Sequence, residues 1–197
     1  MTEEIRAFEY SLGLFAVLIG LAVADVANSF HRLMRSRYPV IWDPLVLLAA
    51  GYALCMAVGM WFDLWGVRHF AATRHFFFYV WLIAEMFVLF LIAAAALPDE
   101  VHARCDLTEH YAATRRYFWT LVALFQFTYL VNGVYFVGWR DLVQGLRAEP
   151  FSVLNDMVLP FVVAVVLSRT VSRPLHYVGV VLLLLSLAWH YSPYQIN

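Results

Sequence analysis

The chain has 197 residues, of which 63% are hydrophobic, and its mean hydropathy is +0.73. About half of the residues of a soluble domain are apolar, so this composition excludes a soluble globular protein and predicts a single membrane-embedded domain. The net charge of −1 argues against a nucleic-acid partner, and since all 13 basic residues are arginine, a Schiff-base lysine is excluded.

Six apolar segments are long enough to cross a bilayer and predict an all-α, polytopic, six-helix transmembrane bundle. They lie at about residues 8–27, 45–65, 76–97, 117–139, 151–168 and 175–191. The helical pattern of the first segment continues to Arg35. Pro160 lies inside the fifth segment and cannot donate to the carbonyl of Asp156, so a kink is predicted there.

The polar loop before the fourth segment contains a helix start signal. Asp106 and Glu109 have the spacing of a capping box, in which Asp106 accepts from first-turn amides and Glu109 reaches back. The fourth helix is therefore predicted to begin near Leu107, well before its apolar part.

Arginine placement predicts the orientation of the bundle. The loops after the first, third and fifth segments contain eight arginines, and the other side contains five. Because arginine is enriched in cytoplasmic loops, these counts place the first set of loops inside and both termini outside. We expect an integral protein of the bacterial cytoplasmic membrane, in contact with the lipid bilayer.

Glu85 lies near the middle of the third segment, at a depth where a charged side chain costs on the order of 3 kcal/mol. Its carboxyl therefore needs a bonding partner, a water-lined cavity or a proton. Two interpretations follow: Glu85 is the central group of an ion pathway, or it is a neutral acid bonded to a neighbouring helix.

Other polar side chains within the segments sort by depth under this orientation. The set predicted to form an inner mouth is Asp25, Asn28 and His31. The set predicted to form an outer vestibule is Asp63, Asn132, Asp156 and His190. Proton and ion paths through membranes are built from such groups, so these residues and Glu85 form the predicted ion pathway.

Four of these residues also have a structural interpretation. Asp25 can pair with Arg32 or extend towards the interface. Asp63 and Asp156 lie near the membrane–water boundary, where a hydrated carboxylate costs little free energy. Asn132 can be an interhelical hydrogen-bonding group.

The loop between the third and fourth segments contains donor types suited to a metal. The candidate ligands are His102, Cys105 and His110, but their spacing matches no standard zinc pattern, and a solvated loop with a helix cap explains these residues well. A haem would need two histidines facing each other, for which His31 and His176 are candidates. We expect no metal and no cofactor.

The start of the first segment carries a family resemblance. Its residues Arg6, Tyr10, Ser11, Phe15 and Ala16 fall on a signature that reads Arg-x-x-x-Phe-Ser-Asp and continues into a stretch with Phe-Ala-Ile. The segment thereby resembles the lysosomal-type potassium channel family. The signature's aspartate is leucine here, and a later threonine is glycine.

This resemblance implies a potassium channel whose six-span subunits assemble as tetramers around the first helix. The implied pore-lining gate residues are Leu14, Val17 and Leu18. The family keeps its N-terminus in the cytoplasm, which is opposite to the orientation that the arginine count predicts.

Taken together, these features predict a small homo-oligomeric channel or transporter for a small ion, either a cation or protons. A non-conducting assembly partner or a membrane-perturbing effector is the alternative, in which Gly13, Gly20 and residues 93–96 serve helix packing. A metal-containing or haem-containing membrane enzyme subunit is the third.

Overall fold

The computed structural model describes the backbone of residues 3–67, 76–100, 105–136 and 138–192, and the side chains of 12–64, 76–100, 105–135 and 138–192. Six of its helices are long and apolar enough to cross a membrane, so the chain is an integral membrane protein with an all-α bundle, as predicted. The spans are Leu12–Met34, Pro44–Leu64, Phe76–Ala96, Leu107–Tyr135, Pro150–Arg169 and Arg173–Tyr191.

Helices account for nearly all of the described chain. The first four are α1 (Glu3–Met34), α2 (Pro44–Val67), α3 (Phe76–Ala96) and α4 (Leu107–Phe136). A short helix, α5 (Trp139–Ala148), follows. The fifth span consists of α6 (Pro150–Val153), a π-helical turn (Leu154–Val158) and α7 (Leu159–Arg169), and the last span is α8 (Arg173–Tyr191).

Most boundaries agree with the predicted segments to within a few residues, and the two helices that extend well beyond their apolar segments do so as predicted. Helix α1 continues to Met34, as its helical pattern indicated. Helix α4 begins at Leu107, because Asp106 Oδ1 accepts hydrogen bonds from the amides of Thr108 (2.9 Å) and Glu109 (3.4 Å). The predicted acceptor half of the capping box is thus confirmed.

The helices pack in a closed bundle. Helix α1 packs against α2 and α3, α4 against α3 and α7, and α8 against α2 and α7. The interior contains large apolar side chains with almost no exposed area, among them Phe15, Met86, Leu89 and Trp119. Because α2 and α3 are apolar on all sides, one face of each fills this core and the remainder faces lipid.

One end of the bundle is tied together by main-chain and side-chain contacts, and we call it the strand end. Two short parallel strands, β1 (Val40–Ile41) and β2 (Cys105–Asp106), pair there. Asp43 precedes α2, accepts from the amide of Leu45 at 3.0 Å, and forms a 2.7 Å ion pair with Arg173 at the start of α8. The sequence patterns predicted neither the strands nor this ion pair.

The opposite end, which we call the cavity end, holds the start of α3 and the ends of α2, α4 and α8. Gly138, with a φ of 86°, makes the turn from α4 into α5, a conformation that favours glycine. Helix α5 is amphipathic and has no buried residue, so it has the character of a helix lying along the membrane surface.

The fifth span is irregular where Pro160 predicted a disruption. The chain forms a π-helical turn over Leu154–Val158, immediately before the proline. Pro160 has no N–H for the preceding carbonyls, which lets the helix widen there. Such turns are frequent at functional sites, and this one contains Asp156.

Candidate functional site

Glu85 is held in a closed set of hydrogen bonds between α3 and α4. Its side chain is only 1% exposed. The Thr128 hydroxyl is 2.7 Å from Oε1, and the Asn132 amide donates to both carboxyl oxygens at 3.1 Å. Trp81 fixes Asn132 by donating to its Oδ1 at 2.8 Å. The structure therefore joins Glu85 and Asn132, two predicted pathway residues, in a contact in which the Glu85 carboxyl is buried.

A polar cavity lies beside this contact, between α2, α4, α8 and the π-helical turn. It has about 50 Å³ of room, enough for a few water molecules. It extends from the cavity end to the middle of the bundle, where the Gln126 amide donates to the Tyr52 hydroxyl at 3.1 Å. Its polar lining consists of Tyr52, Asp63, Gln126, Tyr129, Asp156, Ser186, His190 and Tyr191. Glu85 does not line it.

The charged part of the cavity is built from three helical elements. His190 of α8 lies between two carboxylates: its Nδ1 is 3.3 Å from Asp156 Oδ1, and its Nε2 is 3.9 Å from Asp63 Oδ1. All three side chains are less than one quarter exposed. The structure thus brings together three of the four residues predicted for the outer vestibule, and we call them the Asp–His–Asp cluster.

Both carboxylates of this cluster are oriented by further contacts. The Tyr191 hydroxyl donates to Asp63 at 2.7 Å. Tyr191 can approach α2 because Gly59 has no side chain: a Cβ there would lie 2.6 Å from the tyrosine oxygen. Asp156 accepts from Ser152 at 3.2 Å and from the Asn155 amide at 3.0 Å.

Chemically, the cluster can exchange a proton or a small cation. A protonated His190 would neutralise one of the two carboxylates, and the second negative charge would remain for another cation or proton. Because water fits into the cavity, the group that enters can keep part of its hydration.

The residues predicted for the inner mouth are not assembled in one site. Asn28 and His31 are exposed on α1, and the Asp25 Oδ2 atom is buried without a hydrogen-bond partner in the described part of the chain. Arg32 pairs with Asp99 at 3.3 Å and donates to Ser29 at 2.8 Å. The suggested pairing of Asp25 with Arg32 is therefore replaced by a contact between α1 and the loop after α3.

The implied gate residues lie on the outer surface of α1. Leu14 is 51% and Val17 is 58% exposed, whereas Leu18 is half-buried against the core. A Cβ at Gly13 or Gly20 would have no neighbour within 4 Å. Within one copy of the chain these residues line no described cavity, so a pore along α1 would have to form between copies.

His176, the second histidine of α8, belongs to a satisfied buried network at the strand end. Its Nδ1 is 2.7 Å from the Tyr111 hydroxyl and its Nε2 is 3.2 Å from the Thr170 carbonyl. Trp119 donates to the same hydroxyl at 2.9 Å. Both ring nitrogens are therefore engaged, while His31 is exposed, and the pairing of these two histidines around a haem has no support.

The metal candidates are not assembled either. Within the described ranges, no group of three or more His, Cys, Asp or Glu side chains is placed to hold a metal ion, and His102 lies outside those ranges. Cys105 is buried in β2, and burial, together with the Asp106 carboxylate, raises the pKa of its thiol. This environment disfavours the thiolate that a metal site needs.

Several site residues were not predicted from the sequence. Tyr191 has the pattern of an interfacial anchor, and the polar tips of Tyr52 and Thr128 are small signals within apolar spans. We find no match to this chain among protein-family models, curated proteins or solved structures.

Proposed function

We propose that this protein transports protons or a small cation across the membrane, with the Asp–His–Asp cluster as the binding site. One observation carries the proposal: Asp63, Asp156 and His190 come from three helical elements and meet in a cavity large enough for water. Ionisable side chains are costly in membrane spans, and their convergence on a wet interior is typical of transport sites.

The cavity supports a transporter better than an open pore. Its inner limit is the contact between Gln126 and Tyr52, and the Tyr52 ring stacks on Trp119 with ring centroids 6.3 Å apart. These side chains separate the cavity from the strand end. Access to the second side of the membrane would therefore require a rearrangement at Tyr52, which is the behaviour of a gated or alternating site.

Flux through purified protein in liposomes tests the proposal. A pH-sensitive dye inside the vesicles reports proton entry, and uptake of Na⁺ or K⁺ under an imposed potential reports cation movement. We expect wild-type flux above that of protein-free vesicles, and a large loss in Asp63→Asn and Asp156→Asn. The matched control is Asp141→Asn, because Asp141 is exposed on the surface helix α5.

Two results would contradict this function. Wild-type vesicles that are no more permeable than protein-free ones would favour the non-conducting assembly partner. Equal flux in Asp63→Asn, Asp156→Asn and the control would remove the cluster from the mechanism even if the protein conducts.

A pore between copies is a second candidate, favoured by the exposed surface of α1. Leu14, Val17, Asn28 and His31 all lie on this surface, together with the uncovered Gly13 and Gly20. Small residues allow close helix packing in membranes, and the channel resemblance implies assembly around this helix. Disulfide cross-linking of Val17→Cys in a cysteine-free background tests it: covalent dimers, the largest product that one cysteine per copy can form, support the assembly, and monomers in a conducting sample contradict it.

A further inference from the structure

The Thr128 hydroxyl makes two short contacts that one proton cannot satisfy. Its oxygen lies 2.7 Å from Glu85 Oε1 and 2.6 Å from the carbonyl oxygen of Phe125. A threonine hydroxyl has a single proton to donate. If the hydroxyl donates to Glu85, no proton lies between the Thr128 oxygen and the Phe125 carbonyl oxygen, although they are at hydrogen-bond distance. If it donates to Phe125 instead, no proton from Thr128 lies between its oxygen and Glu85 Oε1.

A proton on Glu85 resolves this conflict. The carboxyl then donates from Oε1 to the Thr128 oxygen, and Thr128 donates onward to Phe125. The Asn132 amide still donates to the other carboxyl oxygen at 3.1 Å. The two short Thr128 contacts and the contact of Asn132 with Oε2 then each have one donor and one acceptor. The second Asn132 contact, 3.1 Å to Oε1, is also satisfied because a protonated carboxyl oxygen can still accept.

The charges around Glu85 lead to the same conclusion. Among the described side chains, no arginine or histidine forms an ion pair with Glu85, and the carboxyl is buried. Asp63, on the adjacent α2, is near enough for its charge to act on Glu85. An ionised Glu85 would therefore be a buried anion close to a second carboxylate and without a cation.

We propose that Glu85, Thr128 and Asn132 form a built proton-binding site next to the cavity, and that Glu85 holds its proton at neutral pH. Phe125, whose carbonyl is the last acceptor in this series of hydrogen bonds, also lines the cavity. This inference depends on the contacts of Glu85 and remains valid whether or not the protein transports ions.

Infrared difference spectroscopy on the purified full-length protein tests this site directly. At neutral pH we expect the carbonyl-stretch band of a protonated carboxylic acid in the wild type and its absence in Glu85→Gln. Thr128→Val removes the hydroxyl that accepts the acid proton, so the band should remain and shift to the position of a more weakly bonded acid. Asp141→Asn is the control and should leave the band unchanged.

A wild type without this band at neutral pH, or a band that persists in Glu85→Gln, would overturn the proposal. Glutamine can reproduce the bonding of a neutral acid, so Glu85→Gln should fold. If it fails to fold, ¹³C-glutamate labelling of the wild type gives the same decision, because only a glutamic acid band shifts. This spectroscopic test measures no ion flux. A failure of the proton-binding proposal is therefore distinguishable from a failure of the proposed transport function.

Discussion

His176 and His190 lie on the same helix, α8, and show how the environment separates a histidine held in a structural network from one in the proposed binding site. His176, at the strand end, is 1% exposed and has both ring nitrogens bonded to neutral partners. His190, at the cavity end, lies between two carboxylates beside room for water. A histidine in a saturated neutral network is fixed in one state, whereas one that faces two acids and water can change its charge.

We expect the largest effect on ion flux when His190 and His176 are each replaced by glutamine and the two variants are compared. His190→Gln keeps hydrogen-bonding capacity but cannot take up a proton, and a bond between charged groups is worth about 1.5–3 kcal/mol, so the apparent affinity for transported protons should fall by roughly tenfold or more. His176→Gln should leave flux per folded protein unchanged. Liposome flux at several ion concentrations measures this difference, and equal losses in the two variants would contradict it.

The free energy of unfolding, in contrast, should depend on His176. His176→Phe leaves the Tyr111 hydroxyl and the Thr170 carbonyl without their ring partner, so unfolding should become easier by about 1–3 kcal/mol. The control is His31→Phe, because His31 is exposed on α1. Denaturation in detergent, followed by the loss of helical circular dichroism, measures both, and a His176→Phe protein as stable as the control would show that the network is dispensable.

A smaller effect is expected from the proline that follows the π-helical turn. Pro160→Ala restores an N–H that can bond the Asp156 carbonyl, so the turn can relax towards an α-helix and move Asp156 relative to His190. We expect a roughly threefold loss of ion affinity, about 0.6 kcal/mol, the value of one neutral hydrogen bond.

The matched control for this change is Pro150→Ala. Pro150 is in the first turn of α6, where no backbone N–H is required. Flux titrations on both variants give the comparison, and an unchanged affinity in Pro160→Ala would mean that the π-helical turn does not position Asp156.

The smallest expected effect is a difference in cysteine reactivity between the strand end and the cavity end of the bundle. In a Cys55→Ala background, Cys105 should react slowly with a small maleimide at neutral pH, because its raised pKa leaves little thiolate, and faster as the pH rises. A cysteine at Met60, which lines the cavity, should react sooner in a cysteine-free background. Mass spectrometry of the labelled protein measures both rates, and faster labelling of Cys105 would contradict a sealed strand end.

The spans, the disruption at Pro160 and the start of α4 were predictable because hydrophobic length, the missing proline N–H and helix capping are local properties. Glu85 could be identified as a buried acid because the free-energy cost of a charged side chain in the bilayer depends on its depth alone. Its bonding to another helix was one of the two interpretations. Asp63, Asp156 and His190 were separate candidates, and their convergence depends on how α2, α8 and the π-helical turn pack. Arg173 with Asp43, and Tyr191 with Asp63, join residues more than 120 positions apart, and no local pattern encodes such pairs.

The parallel strands β1 and β2 have a mechanical consequence. They join the α1–α2 and α3–α4 connections, and the Asp43–Arg173 ion pair attaches the start of α8 at the same end. Any tilting that widened the bundle would therefore pivot about this end, and the displacement would grow along each helix as it does along a lever arm. A small displacement would therefore be resisted at Cys105 and magnified at His190.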